Sequence, residues 1–173
     1  PAETQGGFSD TRTHGEITFE NVVVQYAAET TPVIDHLNLT VHGGETIAIV
    51  GASGSGKTFA TLHLAASLAM GRDWYGIPTR KSKVLYIVAE GAFGMRDRLS
   101  AWCTHHGVSP SELGKNFYAI PSAPNMLDND DIKLLVNTVR SALGTVDLVI
   151  VDTMAQVTPG ANENSGEDMG KFL

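Results

Sequence analysis

Residues 51–58 read GASGSGKT, and this stretch decides the fold. The apolar run TIAIV at 46–50 precedes it, and TFATLHLAASLAMG at 58–71 follows it with the apolar spacing of a helix. The pattern G-x-x-x-x-G-K-[S/T] between a strand and a helix predicts a loop that surrounds phosphate with backbone N–H groups. A Gly/Ser turn that matches by chance is the alternative. The context favours a nucleotide-binding α/β domain.

Each residue type in this loop has a chemical role. Glycines let the backbone N–H groups turn toward an anion, Lys57 reaches the β- and γ-phosphates, and the Thr58 hydroxyl can ligate Mg²⁺. We therefore expect Mg²⁺ with ATP as the cofactor. The predicted nucleotide-binding residues of the loop are Gly51, Ser53, Gly54, Ser55, Gly56, Lys57, Thr58 and Phe59.

Two carboxylates follow buried strands further along the chain. Asp152 ends LVIVD at 148–152, where a carboxylate can hold Mg²⁺ opposite the Thr58 hydroxyl. Glu90 ends VLYIVAE at 84–90 and is predicted, with Lys57, to be catalytic, as the base that orients the attacking water. The alternatives are an Asp that begins an ordinary loop and a Glu that is merely solvated.

The apolar runs predict a parallel sheet, and together with the loop motif at 51–58 they indicate a three-layer α/β/α fold of the P-loop NTPase type. Continuous runs at 46–50, 84–89 and 147–152 are typical of strands in a parallel sheet covered on both faces. Residues 16–26 and 36–41 have the composition of an antiparallel β-hairpin, and 116–120 suits a short edge strand. The predicted helices are 58–71, 95–103 and 130–144. We expect a mainly parallel sheet plus an N-terminal hairpin.

Composition limits the domain count and the partners. The 173 residues fit a single nucleotide-binding domain at 16–173 after a flexible tail or linker at 1–15. The net charge of −7 argues against a nucleic-acid partner for this chain alone. A single cysteine, Cys103, and no long apolar run predict a cytoplasmic protein without a membrane segment. ATP or ADP is the expected partner.

The first part of the chain, 15–58, resembles the start of an ABC-transporter nucleotide-binding domain. The resemblance rests on GEITFENVVVQY, on TPVIDHLNLTVHGGETIAIVGASGSGKT, and on their order. It implies that Tyr26 stacks on adenine, although Tyr26 could instead pack on Val33 or Ile34 as an ordinary strand residue. No LSGGQ-like signature follows, and Thr153 stands where that family has a glutamate after the aspartate.

The remainder, 51–173, resembles RecA-fold ATPases related to hexameric plasmid-replication helicases. The resemblance implies that Lys57 and Thr58 bind phosphate and Mg²⁺, that Glu90 is the base, and that Asp152 is the metal carboxylate. That family continues into a sensor strand and an arginine given to the next subunit.

These two resemblances meet within the loop at 51–58, so 16–50 is expected to be an ABC-like β segment and 51–173 a RecA-like one. We expect an engineered or truncated chimeric P-loop domain that binds ATP with weak or no hydrolysis. The alternative is an active oligomeric RecA-like ATPase. The strand at 46–50 is expected to pair directly with 148–152, in a monomer or, alternatively, a strand-exchanged dimer.

Overall fold

The structure is a computed structural model that describes residues 17–24, 32, 34–49 and 54–160. The chain divides into two compact units, Pro1–Gly56 and Lys57–Leu173.

The first unit contains the predicted antiparallel hairpin. Strand β1 (Ile17–Val24) pairs with β2 (Ile34–Val41), and Phe19 lies opposite Leu39. The register shifts on either side of Val22, which is buried. Such irregularities increase the local twist of a two-stranded ribbon. The sequence-based prediction of a hairpin is confirmed.

The second unit is an α/β layer structure built on three parallel strands. Its elements are α1 (Lys57–Met70), β3 (Val84–Val88), α2 (Ala92–His106), α3 (Pro110–Leu113), β4 (Phe117–Ile120), α4 (Asn129–Leu143), β5 (Leu148–Asp152) and α5 (Met154–Val157). The strand order is β4-β3-β5, and every residue of β3 is buried. The predicted strands at 84–89 and 147–152 and the edge strand at 116–120 are therefore confirmed, as is the α/β fold class.

The strand predicted at 46–50 is wrong for the part that the structure describes. Residues 45–49 have no strand assignment, and Ile47 and Ile49 are 39% and 60% exposed. An apolar run becomes a strand only when a neighbour supplies partners for its backbone N–H and C=O groups. The expected pairing of 46–50 with 148–152 would join the two units and stays a prediction; within the second unit, β5 pairs with β3.

Helix α1 supplies much of the core. Leu62, Ala65, Ala66 and Ala69 are buried as predicted, and α1 packs on β3, β4 and β5. The helix stops before Gly71, whose φ of 65° lies in the left-handed region. A Cβ at Gly71 would lie 3.0 Å from the Lys81 Cβ, so a side chain here would crowd Lys81 and would also be strained in the left-handed conformation.

Candidate functional site

The structure describes some of the predicted nucleotide-binding residues and not others. Tyr26, Gly51 and Ser53 lie outside the described residues. Gly54 and Gly56 have φ values of 81° and 89°, a conformation that favours glycine, and Ser55 lies between them. The backbone at 54–56 thus adopts left-handed conformations that its two glycines permit.

Helix α1 begins at Lys57, directly after the last glycine of the loop. Lys57, Thr58 and Phe59 therefore lie in its first turn, where the backbone N–H groups of a helix favour an anion. The Phe59 ring is 58% exposed. The structure thus places all three predicted residues at the helix start that the loop motif calls for.

Asp152 is the last residue of β5 and is only 7% exposed. Its Oδ2 accepts a hydrogen bond of 2.7 Å from the hydroxyl of Tyr86 in the neighbouring strand β3. Burial raises the pKa of Tyr86 well above its usual range, and the hydrogen bond to Asp152 and its charge raise it further. Tyr86 therefore stays protonated and acts as a donor to Asp152.

A second hydroxyl connects this pair to α1. Thr61 Oγ1 lies 2.9 Å from the Tyr86 hydroxyl oxygen. The same Thr61 oxygen lies 3.0 Å from the carbonyl oxygen of Lys57 and 3.2 Å from that of Thr58. Thr61 thus links the first turn of α1, which carries the predicted phosphate and metal ligands, to the strand residue that holds Asp152.

Glu90 emerges beside Asp152 at the carboxyl edge of the sheet, as predicted. The backbone N–H groups of Ala89 and Glu90 donate to the carbonyl oxygen of Asp152 at 2.8 and 3.2 Å. The Glu90 side chain is exposed, and its Oε2 accepts a hydrogen bond of 3.2 Å from Thr153 Oγ1. The two predicted carboxylates therefore meet at the ends of adjacent strands β3 and β5.

Sequence reasoning missed two residues of this region. Tyr86 is the only side chain with a hydroxyl in the buried strand VLYIV, and a buried hydroxyl needs a partner, so this signal was available. Arg98 lies on α2 with its guanidinium carbon 5.8 Å from the centroid of the Phe59 ring. Arg98 follows Gly94 by four residues, so the two lie on the same face of α2. The Arg98 side chain extends along this face toward the start of α2, beside Gly94.

The donor chemistry of the site fits Mg²⁺ better than a transition metal. Thr58 and Asp152 offer a hydroxyl and a carboxylate, and Mg²⁺ prefers oxygen ligands of this kind. Within residues 17–24, 34–49 and 54–160, no cluster of three or more His, Cys, Asp or Glu side chains could hold a metal ion. Mg²⁺ at this site would therefore need oxygens from phosphate and water, as is usual where it binds with a nucleotide.

Among the helices of the described residues, none has the length and apolar character needed to cross a membrane.

The chain is similar to the ATP-dependent lipid A-core flippase of Polaromonas sp. strain JS666, with 50% identity over 58 residues that cover 34% of this chain and 10% of the flippase. It is also similar to the flippase of Neisseria meningitidis serogroup B, with 40% identity over 58 residues, 34% of this chain and 9% of that protein. The alpha-hemolysin translocation ATP-binding protein HlyB of Escherichia coli is 44% identical over 48 residues, 28% of this chain and 7% of HlyB. The chain thus spans a tenth or less of the length of these curated relatives.

A family profile described as an AAA domain matches residues 14–173, which is most of the chain. The match includes the glycine-bearing loop, α1 and the strand that ends at Asp152. The chain therefore belongs to the AAA domain family of P-loop NTPases.

Proposed function

We propose that this chain binds ATP together with Mg²⁺ through the loop at 51–58 and the carboxyl end of β5. Lys57 contacts the phosphates, and Thr58 and Asp152 hold the metal ion. The observation that carries this proposal is the buried Asp152, which ends β5 and is held by Tyr86 in the same unit in which α1 begins with Lys57. The relatives named for ATP-dependent transport or ATP binding support the same nucleotide.

A carboxylate this deep requires a partner, which supports the metal role. Moving an ionised group out of water costs several kcal/mol unless hydrogen bonds or an opposite charge offset it. Tyr86 supplies one hydrogen bond to Asp152. A divalent cation would supply the opposite charge. Mg²⁺ binding therefore offsets the cost of burying Asp152.

We propose that hydrolysis is slow. Glu90 is the candidate base, and its exposed carboxylate accepts a hydrogen bond from Thr153. A base that is solvated and engaged by a neighbouring hydroxyl is poorly preorganised to orient one attacking water. The rival function is an active oligomeric RecA-like ATPase. The proximity of Glu90 to Asp152, through hydrogen bonds from 89 and 90 to the Asp152 carbonyl oxygen, is the observation that favours it.

Two measurements test this function. Equilibrium titrations with ATP and GTP, with and without Mg²⁺, are expected to give saturable ATP binding that Mg²⁺ strengthens; no binding under any condition would refute the proposal. Phosphate release at saturating Mg²⁺ and ATP is expected to stay below about 1 s⁻¹, the low end of typical enzyme turnover. Faster phosphate release, together with an oligomer in sedimentation velocity, would favour the active oligomeric RecA-like ATPase.

We infer further that the chain is chimeric, with an ABC-like segment at 16–50 joined to a RecA-like one at 51–173 in one nucleotide-binding domain. Support comes from the flippase matches, which cover only about a third of the chain, and from the division into units at Gly56 and Lys57. Under this proposal the chain is a monomer or a strand-exchanged dimer, and it is located in the cytoplasm. Sedimentation velocity distinguishes the monomer from the dimer.

The chimeric interpretation gives Tyr26 a specific role. If Tyr26 stacks on adenine, Tyr26→Ala lowers ATP affinity by roughly 1 to 3 kcal/mol, the range for aromatic stacking on a base. Affinity for inorganic triphosphate, which has no base, stays unchanged. Equal losses for ATP and triphosphate would show that Tyr26 acts through folding instead.

A further inference from the structure

The hydroxyl groups of Thr61 and Tyr86 form a path from the Asp152 carboxylate to the backbone of the first turn of α1, where Thr61 Oγ1 lies 3.2 Å from the Thr58 carbonyl oxygen. Thr58 lies in the first turn of α1, and Asp152 lies at the end of β5. Thr61 Oγ1 is 2.9 Å from the Tyr86 hydroxyl, and that hydroxyl donates to Asp152 Oδ2 at 2.7 Å. Tyr86 and Asp152 are buried, so water competes little for the bond between them, whereas Thr61 is half-buried.

Counting hydrogens gives this path a direction. Tyr86 has one hydroxyl hydrogen, and the ionised Asp152 can only accept, so that hydrogen is committed to Oδ2. The 2.9 Å contact is then a hydrogen bond only when the Thr61 hydrogen points at the Tyr86 oxygen. In that arrangement both hydrogens point toward Asp152, and each bond in such a chain polarises and strengthens the next.

An alternative acceptor is available to Thr61. Its hydrogen can instead go to the carbonyl oxygen of Lys57, at 3.0 Å, in the way that hydroxyls in helices bond back by one turn. The Thr61 hydroxyl thus has two acceptors, one in the first turn of α1 and one in the path to Asp152.

We propose that Tyr86 is a positioning residue for the metal ion, which it controls by fixing the Asp152 carboxylate, and that Thr61 ties this arrangement to the first turn of α1. The proposal rests on the proposed binding of Mg²⁺ and ATP. The Tyr86 bond to Oδ2 fixes the orientation of the Asp152 carboxylate, whose oxygens would hold the metal ion. Partners that orient a metal-binding carboxylate commonly change metal affinity when they are removed.

Substitutions that remove one hydroxyl each provide the test. Tyr86→Phe keeps the ring, which stacks on Phe117 at a centroid distance of 6.0 Å. Thr61→Val keeps the shape of the side chain, and Thr61→Ser keeps the hydroxyl. Tyr118→Phe on β4 is the matched control, because the Tyr118 hydroxyl donates to the carbonyl oxygen of Lys115, which precedes β4, away from the path.

The readout is the factor by which Mg²⁺ strengthens ATP binding, measured by titration with and without the metal. Tyr86→Phe is expected to reduce this factor roughly 10-fold, the lower end for loss of a group that orients a metal ligand, while metal-free affinity stays within about twofold. Thr61→Val is expected to reduce the Mg²⁺ factor by less than Tyr86→Phe does. Thr61→Ser and Tyr118→Phe are expected to leave the factor unchanged. An unchanged factor in Tyr86→Phe, or an equal fall in Tyr118→Phe, would overturn the proposal.

Unfolding by denaturant tests the path without nucleotide. Tyr86→Phe and Thr61→Val are expected to be nonadditive in the double variant, because they interrupt one path. Additive losses would show that Thr61 does not act through Tyr86. Parent protein that binds no ATP would refute the proposed function and with it the metal role, whereas ATP binding with an unaltered Mg²⁺ factor in Tyr86→Phe would refute the role of Tyr86 alone.

Discussion

Helices α1 and α4 are almost equal in length but are held in different ways. Six residues of α1 are buried, whereas none of the 15 residues of α4 is. The α4 sequence is the more clearly amphipathic, with Ile132, Leu135, Val139 and Leu143 on one stripe, yet these side chains are only half-buried. Amphipathic spacing thus identifies the inward face of a helix, while the depth of burial depends on which neighbours cover it.

A groove lies between α4 and the sheet, so the two are not in contact along the whole helix. It has a volume of about 450 Å³ and an apolar lining, to which Leu135, Val139 and Val149 contribute. Helix α4 is instead held at its ends. The Asp128 side chain accepts from the Asp130 N–H at the start, and Lys83 Nζ donates to the Leu143 carbonyl oxygen at the end. The candidate site lies on the other helix, α1, where packing is tight.

The strongest contrast is expected from the same substitution on the two helices. Leu62→Ala removes a side chain that is 3% exposed, so it should lower the free energy of unfolding by about 2 to 5 kcal/mol. Leu134→Ala, at 67% exposed on α4, should change it by no more than about 0.5 kcal/mol. Urea unfolding followed by circular dichroism measures both. Similar losses at the two positions would show that α4 is packed as α1 is.

A smaller effect is expected at the start of α4. Asp128→Ala removes the side chain that caps the helix, which typically costs about 1 kcal/mol. Hydrogen exchange should show the loss of protection concentrated in α4, with α1 unchanged. Asp128→Asn, which can still accept the hydrogen bond, is the control. If Asp128→Ala leaves protection in α4 intact, the helix is held by contacts along its length rather than by its ends.

The smallest effect on stability is expected from a fall in pH, and it arises from a histidine on α1. His63 on α1 lies with its ring centroid 5.2 Å from that of His106, and Arg72 and His105 are the nearby charged groups. Burial, and then the charge of neighbouring histidines, lowers the pKa of His63 from 6.5, and burial also lowers that of His106.

The unfolded state therefore binds protons first as the pH falls through 6.5, so stability present above that pH decreases toward the lower folded pKa. Partial exposure of both rings keeps the effect small. Unfolding curves between pH 8 and roughly pH 5 should show this decline, and His63→Gln should flatten it. A decline as steep in His63→Gln as in the parent would assign the pH dependence to other groups.

Local sequence signals correctly predicted the elements that depend on a short motif or on the composition of the element itself. The loop glycines, the start of α1 and the buried β3 follow from motif and periodicity. Asp152 and Glu90 could be placed at one edge because the carboxyl ends of parallel strands lie together. These are the parts of the candidate site that the sequence predicted.

Features that depend on distant neighbours could not be predicted in the same way. The run at 46–50 has strand composition, but composition does not say whether another strand is available to pair with it, and 46–49 form no strand. The bond between Tyr86 and Asp152 joins residues 66 apart in sequence, so only the alignment of β3 with β5 brings them together. The approach of Arg98 to Phe59 likewise depends on how α2 and α1 pack.

The central claim is that Lys57 and Asp152 bind the phosphates and metal of one nucleotide. Calorimetric titration of ATP into the parent, Lys57→Ala and Asp152→Ala, each with and without Mg²⁺, tests it most directly, with circular dichroism to confirm that the variants fold. The account predicts that Lys57→Ala loses binding under both conditions and that Asp152→Ala loses only the part that depends on Mg²⁺. ATP binding by Lys57→Ala as tight as that of the parent, or equal losses in Asp152→Ala with and without Mg²⁺, would contradict it.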